Sequence, residues 1–485
     1  MIGPSILEEK EREMIAMTIE EIVKFLNDIA WGPWMLLLLV GTGVYLSCRV
    51  GFIQFAKFGY AMKNTLGKIF KKTEAGAGEV TPFQAVATAL AATVGTGNIA
   101  GVTGAICVGG PGAVFWMWIS ALFGMVTKYA EVVLAVKYRE RNDQGDWVGG
   151  PMYYIRNGLG KGFNWLACLF CVLGALAAFG IGNMTQVNTI ATSVNTAIDS
   201  FGGSTAAYTV SLFGQNVPVS SIMIGAVVAM VVGMVLFGGI KRIGAVAETM
   251  VPVMAAVYIV ASLVVVGFNL DKLGSVFAMI FQGAFNAEAA LGGAFGITIM
   301  TTIQKGVGRG VFSNEAGLGS APMAHAASSE HDPVKQGLYG IFEVFMDTIV
   351  ICTLTAMTLL CGAGDRIVWG QSAGAELISA SFSSVFGAQV GSILVAVGIS
   401  LFALSTILSW SLYGTRCCEF LLGGKAARVY QVIFVCVILV GASLKLDLVW
   451  NIADTLNGFM AVPNLVALLG LSPVVIKLTR EHFAK

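Results

Sequence analysis

The chain has 485 residues, of which 56% are apolar and only 12% charged, with a net charge of +1. A soluble domain carries roughly 25% charged residues, and a soluble fold this apolar could not cover its surface with polar side chains. Composition therefore excludes an ordinary soluble enzyme, and the balanced charge gives no footing for nucleic acid. The first segment, residues 1–30, is rich in glutamate and precedes the first long apolar run near Trp31. It predicts an amphipathic stretch on the membrane surface rather than a secretory signal.

A spanning helix needs roughly 20 mainly apolar residues. Eleven segments qualify: about 31–48, 83–108, 111–136, 164–198, 220–238, 243–268, 288–304, 337–361, 388–414, 429–444 and 448–476. Counted over alternate connections, Lys and Arg number 23 on one side and six on the other. That asymmetry predicts an outside N-terminus and a cytoplasmic C-terminus. The sequence holds no GxxxxGK followed by Ser or Thr, so uphill movement would draw on an ion gradient.

Two spans are interrupted by glycine. The first break is Ala91-Ala-Thr-Val-Gly-Thr-Gly-Asn98 and the second is Leu291-Gly-Gly-Ala-Phe-Gly296. A lone Gly-x-Gly in a spanning helix serves packing, but breaks at corresponding positions of two halves mark a transporter binding site. Five spans separate their starts. The division is then one extra helix (31–50), a five-helix repeat (83–268), an inverted five-helix repeat (288–478) and a short cytoplasmic tail (479–485). Exposed carbonyls and hydroxyls at a break can replace the water around Na⁺, and freed N–H groups can hold a carboxylate.

Other polar residues lie at membrane depth. In the ninth span Phe402, Ser405 and Thr406 precede Trp410, and Thr406 and Trp410 share a helix face at a spacing of four. Ser405 and Thr406 either add oxygens to a cation site or bond back to their own helix. The fourth span carries Phe179, Ile181, Asn183 and Met184, then Gln186 and Asn188. Those amides serve either interhelical bonding or substrate contact. Lys128 with Glu131, Glu343 with Asp347, and Arg309 with Glu315 read as ion pairs or side chains reaching the interface. Glu288, before the second break, is a candidate gate. The Cys168–Cys171 pair has no partner pair with which to build a zinc site.

Three strings carry a family resemblance. Gly109-Gly-Pro-Gly-Ala-Val-Phe-Trp-Met-Trp-Ile-Ser-Ala-Leu-Phe-Gly124, Arg309-Gly-Val-Phe-Ser-Asn-Glu-Ala-Gly-Leu-Gly-Ser-Ala-Pro322 and Thr81-Pro-Phe-Gln-Ala85 resemble the alanine or glycine:cation symporter family. The resemblance runs from about residue 30 to 480. It implies an all-α membrane protein of LeuT-like fold, Na⁺ as coupling ion without an organic cofactor, and small amino acids as substrate. It further implies that carbonyls of Ala91, Val94 and Phe402 meet Na⁺ with Ser405 and Thr406. Thr93 and Asn98 are candidates for a second Na⁺. Gly95, Thr96, Gly97 and Asn98 would contact substrate, with Gly292, Gly293 and Phe295 from the second break. Phe179, Ile181, Asn183, Met184, Thr406 and Trp410 would line the side-chain pocket. The expected activity is Na⁺-coupled uptake of alanine or glycine by alternating access, with a proton-coupled carrier of the same fold as the alternative. A channel would need a selectivity-filter string, and an enzyme a motif such as HExxH or GxSxG; the sequence has neither.

Overall fold

A computed structural model describes residues 18–68, 75–212, 215–286, 297–371, 373–443 and 447–484. The architecture is all-α apart from two short hairpins. Helix α1 (Ile19–Ala30) starts at a capping box, in which Thr18 and Glu21 satisfy each other's backbone N–H. It leaves Ile22, Phe25 and Leu26 exposed. After it α2 (Pro33–Arg49) crosses the bundle.

The first broken span starts with α3 (Pro82–Thr93). Pro82 sits at its first position, and Thr81 with Gln84 closes a second capping box. Val94 leaves the helical conformation at φ −80°, ψ 85°. The chain resumes as a π-helical turn (Gly97–Gly101) and α4 (Val102–Gly109), bent 49° from α3. Next come α5 (Ala113–Lys137), α6 (Asn164–Phe179) and α7 (Thr185–Ser200), the last two joined through a π-helical turn at Gly180–Met184. Helices α8 (Val219–Leu236), α9 (Gly239–Gly267) and α10 (Leu273–Phe285) follow.

Beyond residue 296 the chain continues as α11 (Ile299–Asn314), α12 (Pro333–Val344) and, after a π-helical stretch, α13 (Thr353–Gly362). Then come α14 (Ala375–Phe386), α15 (Ala388–Leu422), α16 (Gly424–Ser443) and α17 (Asp447–Phe483). Among the described residues nine helices are long and apolar enough to cross a membrane, or ten with the bent pair counted as one span. Helices α5 and α15 are mostly buried. By contrast α8, α9 and α16 turn exposed apolar side chains such as Met230, Val260 and Val432 outward, where lipid replaces water.

The seventh predicted span differs. The sequence placed it at 288–304 and read 305–336 as a cytoplasmic connection. The structure instead has α11 at Ile299–Asn314, followed by a buried, non-helical stretch. Glu315 adopts the left-handed conformation at φ 55°, and Gly317 and Gly319 have φ of 93° and 83°. Lys305, Arg309 and Glu315 lowered the local hydropathy and hid this segment. The predicted glycine break at 291–296, with Gly292, Gly293 and Phe295, lies outside the described residues, as does Glu288.

Candidate substrate and cation site

The end of α3 meets the middle of α15. The Thr406 hydroxyl lies 3.1 Å from the carbonyl oxygen of Ala91, 3.3 Å from that of Ala92 and 3.0 Å from that of Phe402. Ser405 donates to the same Phe402 carbonyl at 2.7 Å. All five residues are buried, as is Val94. The last carbonyls of a helix lack intrahelical donors and carry the negative end of its dipole. Several such oxygens beside two hydroxyls, away from water, suit a hard monovalent cation. Gly95 is required for this approach, because a Cβ there would collide with the Thr406 hydroxyl.

A second oxygen cluster lies just beyond the break. The Asn98 amide oxygen accepts the Gly95 N–H at 2.8 Å, replacing a lost helical carbonyl, and its Nδ2 donates to Asp347 at 2.6 Å. Asp347 also accepts from Ser313 at 2.9 Å and Thr348 at 2.7 Å. Every member is buried, and Asp347 is 0% exposed. A carboxylate held only by neutral donors in a membrane span marks a functional site, and a bound cation would neutralise it. Thr93, expected beside Asn98, instead donates back to Leu90 at 3.3 Å.

Between these clusters Thr96 presents its N–H and hydroxyl to Gln186 Oε1, at 3.4 and 3.0 Å. The Gln186 amide is fixed by its donation to the Ile181 carbonyl at 2.9 Å. Gly97 lies against the Phe312 ring, and Gly182 lies so close to Trp410 that a Cβ would collide. Gly95, Thr96, Gly97, Asn98, Ile181, Thr406 and Trp410 are thus brought to one region. Phe179, Asn183 and Met184 are not. Phe179 packs on Tyr430 and Phe434, Asn183 donates to the Phe434 carbonyl at 2.7 Å, and Met184 abuts Gly441, all on α16. The π-helical turn at 180–184 inserts an extra residue per turn and carries these side chains away from the break.

The non-helical stretch after α11 is anchored by buried charge. Glu131 on α5 accepts the backbone N–H groups of Gly317 and Gly319 at 3.0 and 3.1 Å, and Asn464 on α17 bonds both Glu131 and the Gly317 carbonyl. Glu315 accepts from the Trp410 indole at 2.9 Å and from Ser320. One turn before Glu131, Lys128 pairs with Glu343 at 3.2 Å, and His325 meets the other Glu343 oxygen at 3.1 Å. These are core contacts rather than interfacial ones. Asp347, Ser313, Phe312 and Glu131 escaped the sequence reading of the site. The available signal was a carboxylate inside an otherwise apolar span.

Spanning helices around a broken helix, with buried oxygen clusters at the break, are the architecture of a membrane carrier. The chain belongs to the sodium:alanine symporter family, whose model matches residues 16–485. It is 46% identical over 469 residues to the sodium/alanine symporter AgcS of Methanococcus maripaludis, covering 96% of this chain and 97% of that one. It is 35% identical over 462 residues to the amino-acid carrier protein AlsT of Bacillus subtilis, covering 95% and 91%. In fold it is similar to MhsT, solved in complex with L-phenylalanine, with a TM-score of 0.57 at 12% identity over 84% of this chain and 99% of that one.

Proposed function

We propose that the protein imports small neutral amino acids, alanine and glycine, by Na⁺-coupled symport across the cell membrane. The observation that carries this reading is the convergence of Thr406, Phe402 and Ala91 at the end of α3. One Na⁺ binds there and holds α3 against α15. A second binds among Asn98, Ser313 and Asp347. The substrate carboxylate rests on the N–H of Gly97, where the chain re-enters a helix. Phe312 and Trp410 bound the side-chain space and favour small residues. Each charge moved inward gains about 2.3 kcal/mol per 100 mV of membrane potential. The basic loops face the cytoplasm in this reading, and the two five-helix halves, inverted relative to each other, rock about the site. AgcS, named a sodium/alanine symporter, supports both the ion and the substrate.

The test is uptake of labelled L-alanine into proteoliposomes under an inward Na⁺ gradient, with matched K⁺ as control. Uptake that requires Na⁺ and is competed by glycine is the expected result. Uptake that follows a proton gradient and ignores Na⁺ would overturn the ion assignment.

A further inference from the structure

Two sharp turns lie side by side at one end of the bundle. Phe237 and Gly238 join α8 to α9, and Gly423, at φ 82°, joins α15 to α16. Each turn connects two helices long and apolar enough to cross a membrane, so both turns lie at a bilayer surface. Leu236, Phe237 and Gly239 from one turn and Gly424 from the other line a cavity of about 430 Å³. A second cavity, of about 480 Å³, is lined by the hairpin that pairs Glu140–Arg141 with Trp147–Val148. The two share Gln144, Glu419, Gly424 and Arg428 and so form one trough. Its wall includes Phe237 and Val432, which are 59% and 51% exposed. The trough therefore borders acyl chains as well as water.

Most of the charge in the trough is matched within the fold. Arg416 pairs with Glu419 at 2.6 Å and Asp146 at 3.6 Å, Arg156 with Glu140 at 2.7 Å, and Arg141 with Glu79 at 2.9 Å. Lys425 and Arg428 differ. Both are exposed, both line the trough, and among the described residues neither makes a hydrogen bond or an ion pair within 4 Å. Asp143, exposed on the hairpin, is the one carboxylate of the trough left without an ion pair. Lys425 and Arg428 stand three apart on one face of α16, at its N-terminal end, where the first turn holds no acidic residue. That end of a helix carries the positive pole of the dipole, so two cations there repel both it and each other. An anion between them relieves both repulsions, and the Gln431 amide beside Arg428 adds a donor.

We infer that this trough binds an anionic phospholipid, with the phosphodiester between Lys425 and Arg428 and an acyl chain along Phe237 and Val432. A basic pocket between spanning helices at the bilayer surface suits such a headgroup. A free phosphate would satisfy the two cations equally well but would leave the apolar wall uncovered, and the lipid satisfies both.

The experiment is native mass spectrometry of the full chain in detergent, titrated with phosphatidylglycerol or with neutral phosphatidylcholine. Wild type is expected to retain phosphatidylglycerol the more tightly. Lys425→Gln with Arg428→Gln should weaken that binding about tenfold to thirtyfold, the scale of two cations beside an anionic headgroup, and leave phosphatidylcholine unmoved. Lys425→Arg with Arg428→Lys should bind as wild type does, which separates loss of charge from loss of fold. Lys137→Gln with Lys161→Gln removes the same charge from two exposed side chains outside the trough and should change nothing. Equal retention of the two lipids by wild type, or equal weakening by the two glutamine double variants, overturns the site. Displacement of phosphatidylglycerol by an equal concentration of glycerol 3-phosphate overturns the lipid as occupant and makes the ligand a soluble phosphate. Each outcome is read without reference to alanine or Na⁺, so the symport reading stands or falls separately.

Discussion

The hydroxyl of Thr406 lies 3.1 Å from the carbonyl oxygen of Ala91, although the two residues are 315 positions apart in the chain. This contact ties the end of a broken helix to an unbroken one. Thr406→Val keeps the shape and removes the oxygen. A hydrogen bond or ligand contact to a charged group contributes about 1.5–3 kcal/mol, so the Na⁺ concentration for half-maximal uptake should rise about tenfold to a hundredfold. Thr406→Ser should stay near wild type. A Na⁺ titration of alanine uptake checks both.

Gly95→Ala places a methyl group against that hydroxyl. Overpacking of a tight interior costs about 1–3 kcal/mol, here concentrated where α3 meets α15. The variant should purify as a monodisperse protein and lose most of its uptake. Wild-type uptake by Gly95→Ala would show that α3 and α15 need not approach so closely during the cycle.

Asp347→Asn removes the only charge from the cluster of Asn98, Ser313 and Thr348. Its neighbours keep hydrogen-bond partners, so folding should survive. The number of Na⁺ ions moved per alanine should fall by one. Paired ²²Na⁺ and alanine fluxes measure that ratio, and an unchanged ratio removes Asp347 from the ion path.

Lys128→Met strips Glu343 of its ammonium partner in a site that is 0% exposed. Breaking a buried pair on one side costs about 3–5 kcal/mol, whereas replacing both partners is often close to neutral. The single variant should melt at a much lower temperature in detergent. Adding Glu343→Gln should recover most of the loss, because His325 can still donate to the amide oxygen. Thermal denaturation of the two variants beside wild type decides the matter.

The helical class and most spans are legible in the sequence because twenty apolar residues in a row admit few structures. The first break is legible because Gly95 and Gly97 stand between polar residues inside such a run. The contribution of Thr406 can be suspected from depth alone. Asp347 and Gln186 are harder to read. Asp347 meets Asn98 across 249 positions and Gln186 meets Thr96 across 90, and no local pattern encodes such pairings. The stretch at 315–321 is hidden for a different reason. Its glycines take positive φ inside the protein, and the carboxylates there are buried and hydrogen-bonded, Glu131 to the N–H groups of Gly317 and Gly319 and Glu315 to Trp410 and Ser320. A hydropathy reading counts those charges as if they faced water.

Helix α1 is fastened to α17. Asn27 donates to Asp454 and Thr455 at 3.1 and 3.2 Å, and the Trp31 indole donates to the Asp454 carbonyl at 3.1 Å. Its outer face carries Ile22, Phe25 and Leu26. Any swing of the N-terminal part of α17 must therefore break these three bonds or carry α1 along with it.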